Sequence, residues 1–137
     1  MREFVGQSIA GFPPFILYFL IAAAMLIVFV AIYLRITPYR EMDLIKQGNC
    51  AAAVSLSGSI IGFVLPLAHA VAQAVNLTDL LLWGLLAMVV QLVSYLLVRA
   101  LIPGIVSGIP QGQVAHGIFL ATVSVAAGIL NAACMAD

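Results

Sequence analysis

The chain has 137 residues, 65% of them hydrophobic and 7% charged, with a mean hydropathy of +1.23. That composition excludes a water-soluble domain and describes an all-α integral membrane protein, because at about 20 apolar residues per span the length holds four spans with short connections. Five Lys and Arg balance five Asp and Glu, which leaves no basic tract for nucleic acid, no acidic tail and no room for a soluble catalytic domain.

Met1 to Gly11 is short and mildly polar, with Arg2 and Glu3 offsetting each other. Pro13 and Pro14 open the first span, expected at 13–34, where a missing amide donor costs a helix least. A signal peptide has an apolar core of only about 7–15 residues followed by small residues. Here Ala22-Ala23-Ala24 falls mid-run, so an uncleaved helix is predicted. Arg35 to Asn49 then holds Arg35, Arg40, Glu41, Asp43 and Lys46. Thr37-Pro38 reads as an N-cap with proline in the first turn, Gly48 as a helix end, and Met42 with Ile45 as a narrow apolar side. A short helix lying at the membrane surface is expected.

The second span, 50–75, carries an ordered stripe. Steps of three and four from Ala52 give Ser55, Ser59, Gly62, Pro66, His69 and Gln73 on one helical face, and Gly58 with Gly62 adds a GxxxG pair. Small residues let helix backbones approach and hydroxyls bond across, so this helix is expected to be the packing centre of a bundle. Asn76-Leu77-Thr78-Asp79 closes it with a polar turn in which Thr78 or Asp79 caps the third span, 80–98. That span has Trp83 near its start as an interfacial anchor and Gly84, Ala87, Gln91 and Ser94 on one face. Leu101 to Gly112 contains Pro103, Gly104, Gly108, Pro110 and Gly112, too many breakers for a helix in lipid, and reads as a flexible connection. The fourth span, 113–135, has Gly117, Ala121, Ser124, Gly128 and Asn131 on its small and polar face.

Arg35, Arg40 and Lys46 lie in the first connection and Arg99 at the third, while the turn between spans two and three has no positive residue. The positive-inside rule then puts 35–49 and 99–112 in the cytoplasm and both termini outside. A shift of 64 aligns the halves: Ala23 with Ala87, Arg35 with Arg99, Ile45 with Ile109, Gln47 with Gln111, Gly48 with Gly112, Ala51 with Ala115 and Leu56 with Leu120. With one residue of slippage, Pro38 meets Pro103 and Ser59 meets Ser124. The expected domain organisation is one membrane domain of two tandem parallel-repeat hairpins, about 12–75 and 79–135.

Ser55, Ser59, His69, Gln73, Gln91, Ser94, Thr122, Ser124 and Asn131 could line a permeation path or hold helices together. Packing is the preferred reading, since ion pathways usually place charged residues within the membrane. Ala52, Gly58, Gly62, Pro66, Gly117, Ala121 and Gly128 are the expected packing residues. His69 stands about 28 Å along its helix from Cys50 at ~1.5 Å per residue, and His116 is one turn inside the opposite face, so one protomer cannot use both on a single metal or haem. His69 is read as an interhelical hydrogen-bonder and His116 as a headgroup-level residue. Cys50 and Cys134 are expected at opposite faces, which excludes an intrachain disulfide; each reads as a small packing residue, with pairing of Cys134 to its copy in a second subunit left open. No GxSxG, HExxH, cysteine cluster or phosphate loop is present. No catalytic, cofactor-binding or metal-ligating residue is therefore assigned, and an enzyme is not expected. Arg40 and Lys46 are candidate contacts for a partner or anionic lipid.

Ile36-Thr37-Pro38, Leu44-Ile45-Lys46, Ser57-Gly58, Pro66-Leu67, Trp83-Gly84, Gln91-Leu92 and the terminal Gly128-Ile-Leu-Asn-Ala-Ala-Cys-Met135 resemble the YjfL family of bacterial inner-membrane proteins. The resemblance covers nearly the whole chain, and Asn131 to Met135 is its most specific part. It implies two tandem hairpins in a bacterial inner membrane, no known activity, and an envelope-stress setting. Four short helices with small-residue faces on several sides have more packing surface than one bundle uses, so a homo-oligomer is expected. The leading functional expectation is a non-enzymatic scaffold that recruits a cytoplasmic membrane-stress protein through its charged loop. A small channel or transporter for ions or polar solutes such as polyamines comes second, and a haem- or quinone-associated redox subunit using His69 third.

Overall fold

The computed structural model describes residues 12–135, with burial described from residue 14; Arg2 and Glu3 lie outside the described residues. The described residues form four long helices, each apolar enough to cross a bilayer: α1 Phe12–Ile36, α3 Cys50–Gln73, α4 Leu77–Leu101 and α6 Val114–Cys134. Two short helices, α2 Glu41–Lys46 and α5 Ile105–Gly108, sit in the connections on one side, here termed the connector end. The α3–α4 turn marks the opposite, turn end. No strand occurs among the described residues.

The closest contact is between α3 and α6, and glycine makes it possible. A methyl added at Gly58 would meet Ala121, one at Gly62 the Ser124 carbonyl, one at Gly117 the Ala51 carbonyl and one at Gly128 the Gly62 carbonyl. Numbers rise together in these pairs, so the two helices run parallel. In contrast α4 runs antiparallel to α3 after a three-residue turn. Ala52, Ser55, Ser59, Gly62 and Pro66 are buried as the stripe predicts, His69 is half-buried, and Gln73 is exposed. Helix α1 lies outside this centre and attaches through aromatic rings. Phe29 stacks on Phe63 with centroids 4.6 Å apart, Tyr33 meets Tyr95 edge-on at 5.2 Å, and Met25 fills the space over Gly84.

Pro66 lies inside α3 and lacks the amide that would bond to the Gly62 carbonyl four residues earlier. In a membrane interior no water replaces that donor. Gln91 of α4 supplies it: Nε2 donates to the Gly62 carbonyl at 3.1 Å and to the Ser124 carbonyl at 3.0 Å. One amide group thus joins three helices.

The two connections are built alike. The bonds Leu44 N to Arg40 O, Gly48 N to Ile45 O and Asn49 N to Leu44 O recur as Gly108 N to Gly104 O, Gly112 N to Ile109 O and Gln113 N to Gly108 O, each 64 residues on. Gly48 and Gly112 hold φ of 87° and 80°, a region that disfavours any side chain and explains glycine at both positions. Asn49 ties the two connections together by donating to the Ile109 and Pro110 carbonyls at 3.0 and 3.3 Å while its own oxygen caps α3 at Ala52 N.

Several local expectations need correction. Thr37-Pro38 does not start the surface helix; Thr37 donates back to the Leu34 carbonyl at the end of α1, and α2 begins at Glu41. Asn76, not Thr78 or Asp79, caps α4, its side chain accepting from Asp79 N at 2.8 Å. The stretch from Leu101 to Gly112 contains the one-turn α5, whose Ile105 and Gly108 are buried, so it is an ordered connection packed on the bundle. Cys50 and Cys134 are both free and exposed, near opposite ends, and neither fills space inside the protomer.

Candidate functional site

Helix α2 packs Leu44 and Ile45 partly against the core, but its most buried residue is charged. Met42 is 48% exposed, whereas Glu41 is only 1% exposed. The short helix expected in this connection is present, but it begins only at Glu41, and that first residue turns in over α3. The Glu41 carboxylate accepts from Ser55 Oγ at 3.5 Å, and Ser55 also donates to the Ala52 carbonyl at 3.0 Å. The hydroxyls of Tyr33, Tyr39 and Tyr95 and the second Glu41 oxygen are buried without a hydrogen-bond partner. Tyr33 and Tyr95 are themselves in ring contact, and Arg99 stands beside Tyr95.

Burial pushes the Glu41 carboxyl from its ordinary 4.5 up to about 7, against the opposing pull of the Tyr39 and Ser55 hydroxyls. No cation is among the groups that act on it. Burial, and then the Glu41 charge, also raises the Tyr39 phenol, which therefore stays protonated and available as a donor. The arrangement can hold and release one proton near neutral pH. It offers no nucleophile beside a base and no oxyanion cradle.

Sequence reading missed Glu41 because it took Met42 and Ile45 as the side of the short helix that matters for packing. The available signal was the residue 64 positions on: Ile105 is apolar, and it is fully buried. Both positions are covered by the fold, and one of them carries a carboxylate.

The stripe residues divide into groups. Ser59 and Ser124 meet hydroxyl to hydroxyl at 3.5 Å between α3 and α6, directly beside the Gln91 bridge. Ser94 and Thr122 bond only to carbonyls of their own helices, Val90 and Ile118, and Thr122 faces outward. Asn131 is half-buried with its amide nitrogen unpartnered. His69 and Gln73 lie at the turn end, away from the Ser55 to Ser124 cluster, and border a small cavity with Asp79, Trp83 and Met135. His116 packs against Gly108 at the connector end. Arg40 and Lys46 are exposed, and Arg40 forms a loose pair with Asp43 at 3.8 Å. Among the described residues no three His, Cys, Asp or Glu side chains come together to hold a metal.

A family model described as Domain of Unknown Function (DUF350) matches residues 7–135. The chain is 43% identical over 118 residues to the UPF0719 inner membrane protein YjfL of Escherichia coli strain K12, a match covering 86% of this chain and 89% of that protein. It is 29% identical over 86 residues to the UPF0719 transmembrane protein YshE of Bacillus subtilis strain 168, covering 63% and 64%. No solved structure matches the chain.

Proposed function

The chain belongs to the DUF350 family of unknown function, and from that premise we propose that it is a non-enzymatic scaffold of the bacterial inner membrane. One observation carries this reading. The polar groups at the centre of the stripes are used between helices of a single protomer, where Ser59 meets Ser124 and Gln91 donates to two backbone carbonyls. Polar groups used this way fix helix positions, and the centre of the bundle is closed where a solute path would have to pass.

In this reading the two hairpins are a tandem parallel repeat, which the bonds recurring at a spacing of 64 support. The connector end faces the cytoplasm, in keeping with Arg35, Arg40, Lys46 and Arg99, and both termini face the periplasm. Protomers assemble through the outer small-residue groove of α3 and α6, around Ala53, Ser57, Gly58, Ala121 and Ala126. The exposed Arg40 and Lys46 contact a cytoplasmic membrane-stress protein, and Glu41 fixes α2 against the bundle so that they are presented in one orientation.

The test combines capture with transport. Arg40→Glu with Lys46→Glu should abolish in-cell crosslinking of the connector to its partner while the protein still inserts and purifies as the same oligomer. Liposomes of the unaltered protein should pass neither monovalent ions nor small amines. Solute flux that changes in Ser59→Leu would overturn the scaffold reading in favour of a channel.

A further inference from the structure

Helix α2 is fastened at its two ends by different means. Beyond its C-terminal end, Gly48 N bonds to the Ile45 carbonyl, and Asn49 donates to the Ile109 and Pro110 carbonyls while its side-chain oxygen caps α3. These bonds join uncharged groups and do not follow pH. At the N-terminal end the one fully covered residue is Glu41, which Ser55 Oγ reaches at 3.5 Å, the long limit of a hydrogen bond. Arg40 and Met42 on either side of it are exposed, and Tyr39, Leu44 and Ile45 are only half-buried. The first turn of α2 is therefore held down chiefly by a carboxyl group.

The surroundings of that carboxyl decide which of its forms can stay. Tyr33 of α1, Tyr39 of the connection and Tyr95 of α4 lie within reach of its charge, and their hydroxyls, like Glu41 Oε2, are buried without a partner. Helix α3 contributes the Ser55 hydroxyl. Arg99 of α4 stands beside Tyr95 and is not among the groups that act on Glu41. Arg35 at the end of α1 is exposed, as are Arg40, Asp43 and Lys46, and Arg40 leans toward Asp43 at 3.8 Å. No cation pairs with Glu41 among the described residues. A neutral carboxyl is at ease among hydroxyls, whereas an ionised one without a counter-charge is costly until water reaches it. Water is one residue away, at Arg40 and Met42. Residues 37–40 are not helical and give the chain slack on that side, and Gly48, where an added side chain would meet nothing within 4 Å, supplies a hinge on the other.

We propose that α2 is a pH-sensitive strap: with Glu41 protonated its first turn lies on α3, and with Glu41 ionised that turn lifts into water about Gly48, carrying Arg40 away from the bundle. The carboxyl titrates near its ordinary 4.5 when lifted and near 7 when covered. The ratio of lifted to docked strap accordingly rises by up to tenfold per pH unit between those values and is level above them. The device needs no partner, so it stands or falls apart from the scaffold reading.

The test is a distance measurement between nitroxide labels on full-length protein in nanodiscs, with Cys50→Ser and Cys134→Ser removing the two exposed thiols. One sample pairs Met42→Cys on α2 with Val75→Cys in the opposite turn, and a second pairs Ser107→Cys on α5 with Val75→Cys; all three positions are exposed. In the first sample a longer distance should grow at least tenfold relative to the shorter one between pH 5 and pH 8. The second sample should not change, because the buried residue of α5 at this level is Ile105, which cannot ionise. Glu41→Gln should hold the first pair at the shorter distance throughout. A Met42–Val75 distance that is constant over the range, that lengthens equally in Glu41→Gln, or that is matched by an equal shift at Ser107 would overturn the proposal. If Glu41→Gln fails to fold, the contrast between the α2 and α5 labels in the unaltered carboxylate protein decides the outcome.

Discussion

Glu41→Gln tests the most unusual group in the molecule. The carboxyl moves from 4.5 to about 7 on folding, chiefly through burial. The folded state therefore holds a proton that the unfolded state has released between those two values. By linkage, stability is greatest below pH 4.5 and falls as the pH rises through 7, where Glu41 must carry an uncompensated buried charge. At ~1.4 kcal/mol per tenfold the full swing is about 3 kcal/mol. At roughly 3 °C per kcal/mol for a chain of this size that is a ceiling of about 10 °C. The assay is thermal unfolding of detergent-solubilised protein at pH 5, 6, 7 and 8, comparing the native chain with Glu41→Gln. The glutamine keeps the shape and cannot ionise. Its curve should lie near the native one at pH 5 and rise progressively above it toward pH 8. Two curves with the same slope would show that Glu41 is hydrated or paired in the membrane, and the buried-carboxylate argument would fail.

Three other expectations follow from contacts already described. Gln91→Leu should lower stability by about 1–2 kcal/mol because the Gly62 carbonyl loses its donor. Adding Pro66→Ala should recover part of that loss by restoring the helical amide, which a double-mutant cycle in chemical denaturation would measure. Gly128→Leu places a side chain where the Gly62 carbonyl stands, and should separate α3 from α6 and remove the folded species from gel filtration, whereas Leu130→Ala on the exposed face should leave it intact. Asn49→Ala should cost about 1 kcal/mol from the lost α3 cap and somewhat more from the lost bonds to Ile109 and Pro110, read as a shift in thermal midpoint.

Spans and packing faces were legible because they depend on patterns that one helix carries alone. Runs of apolar residues mark the four spans to within three residues at each end, and spacing of three and four picks out Ser55, Ser59, Gly62, Ser124 and Gly128 as an inward stripe. What was not legible depends on which way a short element turns. In six residues of α2 there is too little sequence for periodicity to choose a face, and the tertiary contact with α3 selects Glu41 over Met42. Caps failed for a related reason. Thr37, Asn76, Thr78 and Asp79 are all competent side chains, and the choice among them rests on where the chain bends. The grouping of His69, Trp83 and Met135 could not be read from any one helix, because each comes from a different segment.

The bond from Gln91 to Gly62 has a consequence for biogenesis. Pro66 leaves the first hairpin with an unpaired carbonyl at mid-membrane, and the donor that satisfies it belongs to a helix synthesised later. The first two spans released alone into lipid would carry an exposed polar defect, the kind of lesion that membrane quality-control proteases engage. Completion of the third span closes it. The halves are consequently products of one maturation event, and a chain truncated after residue 76 should be short-lived in cells unless the second half is supplied beside it.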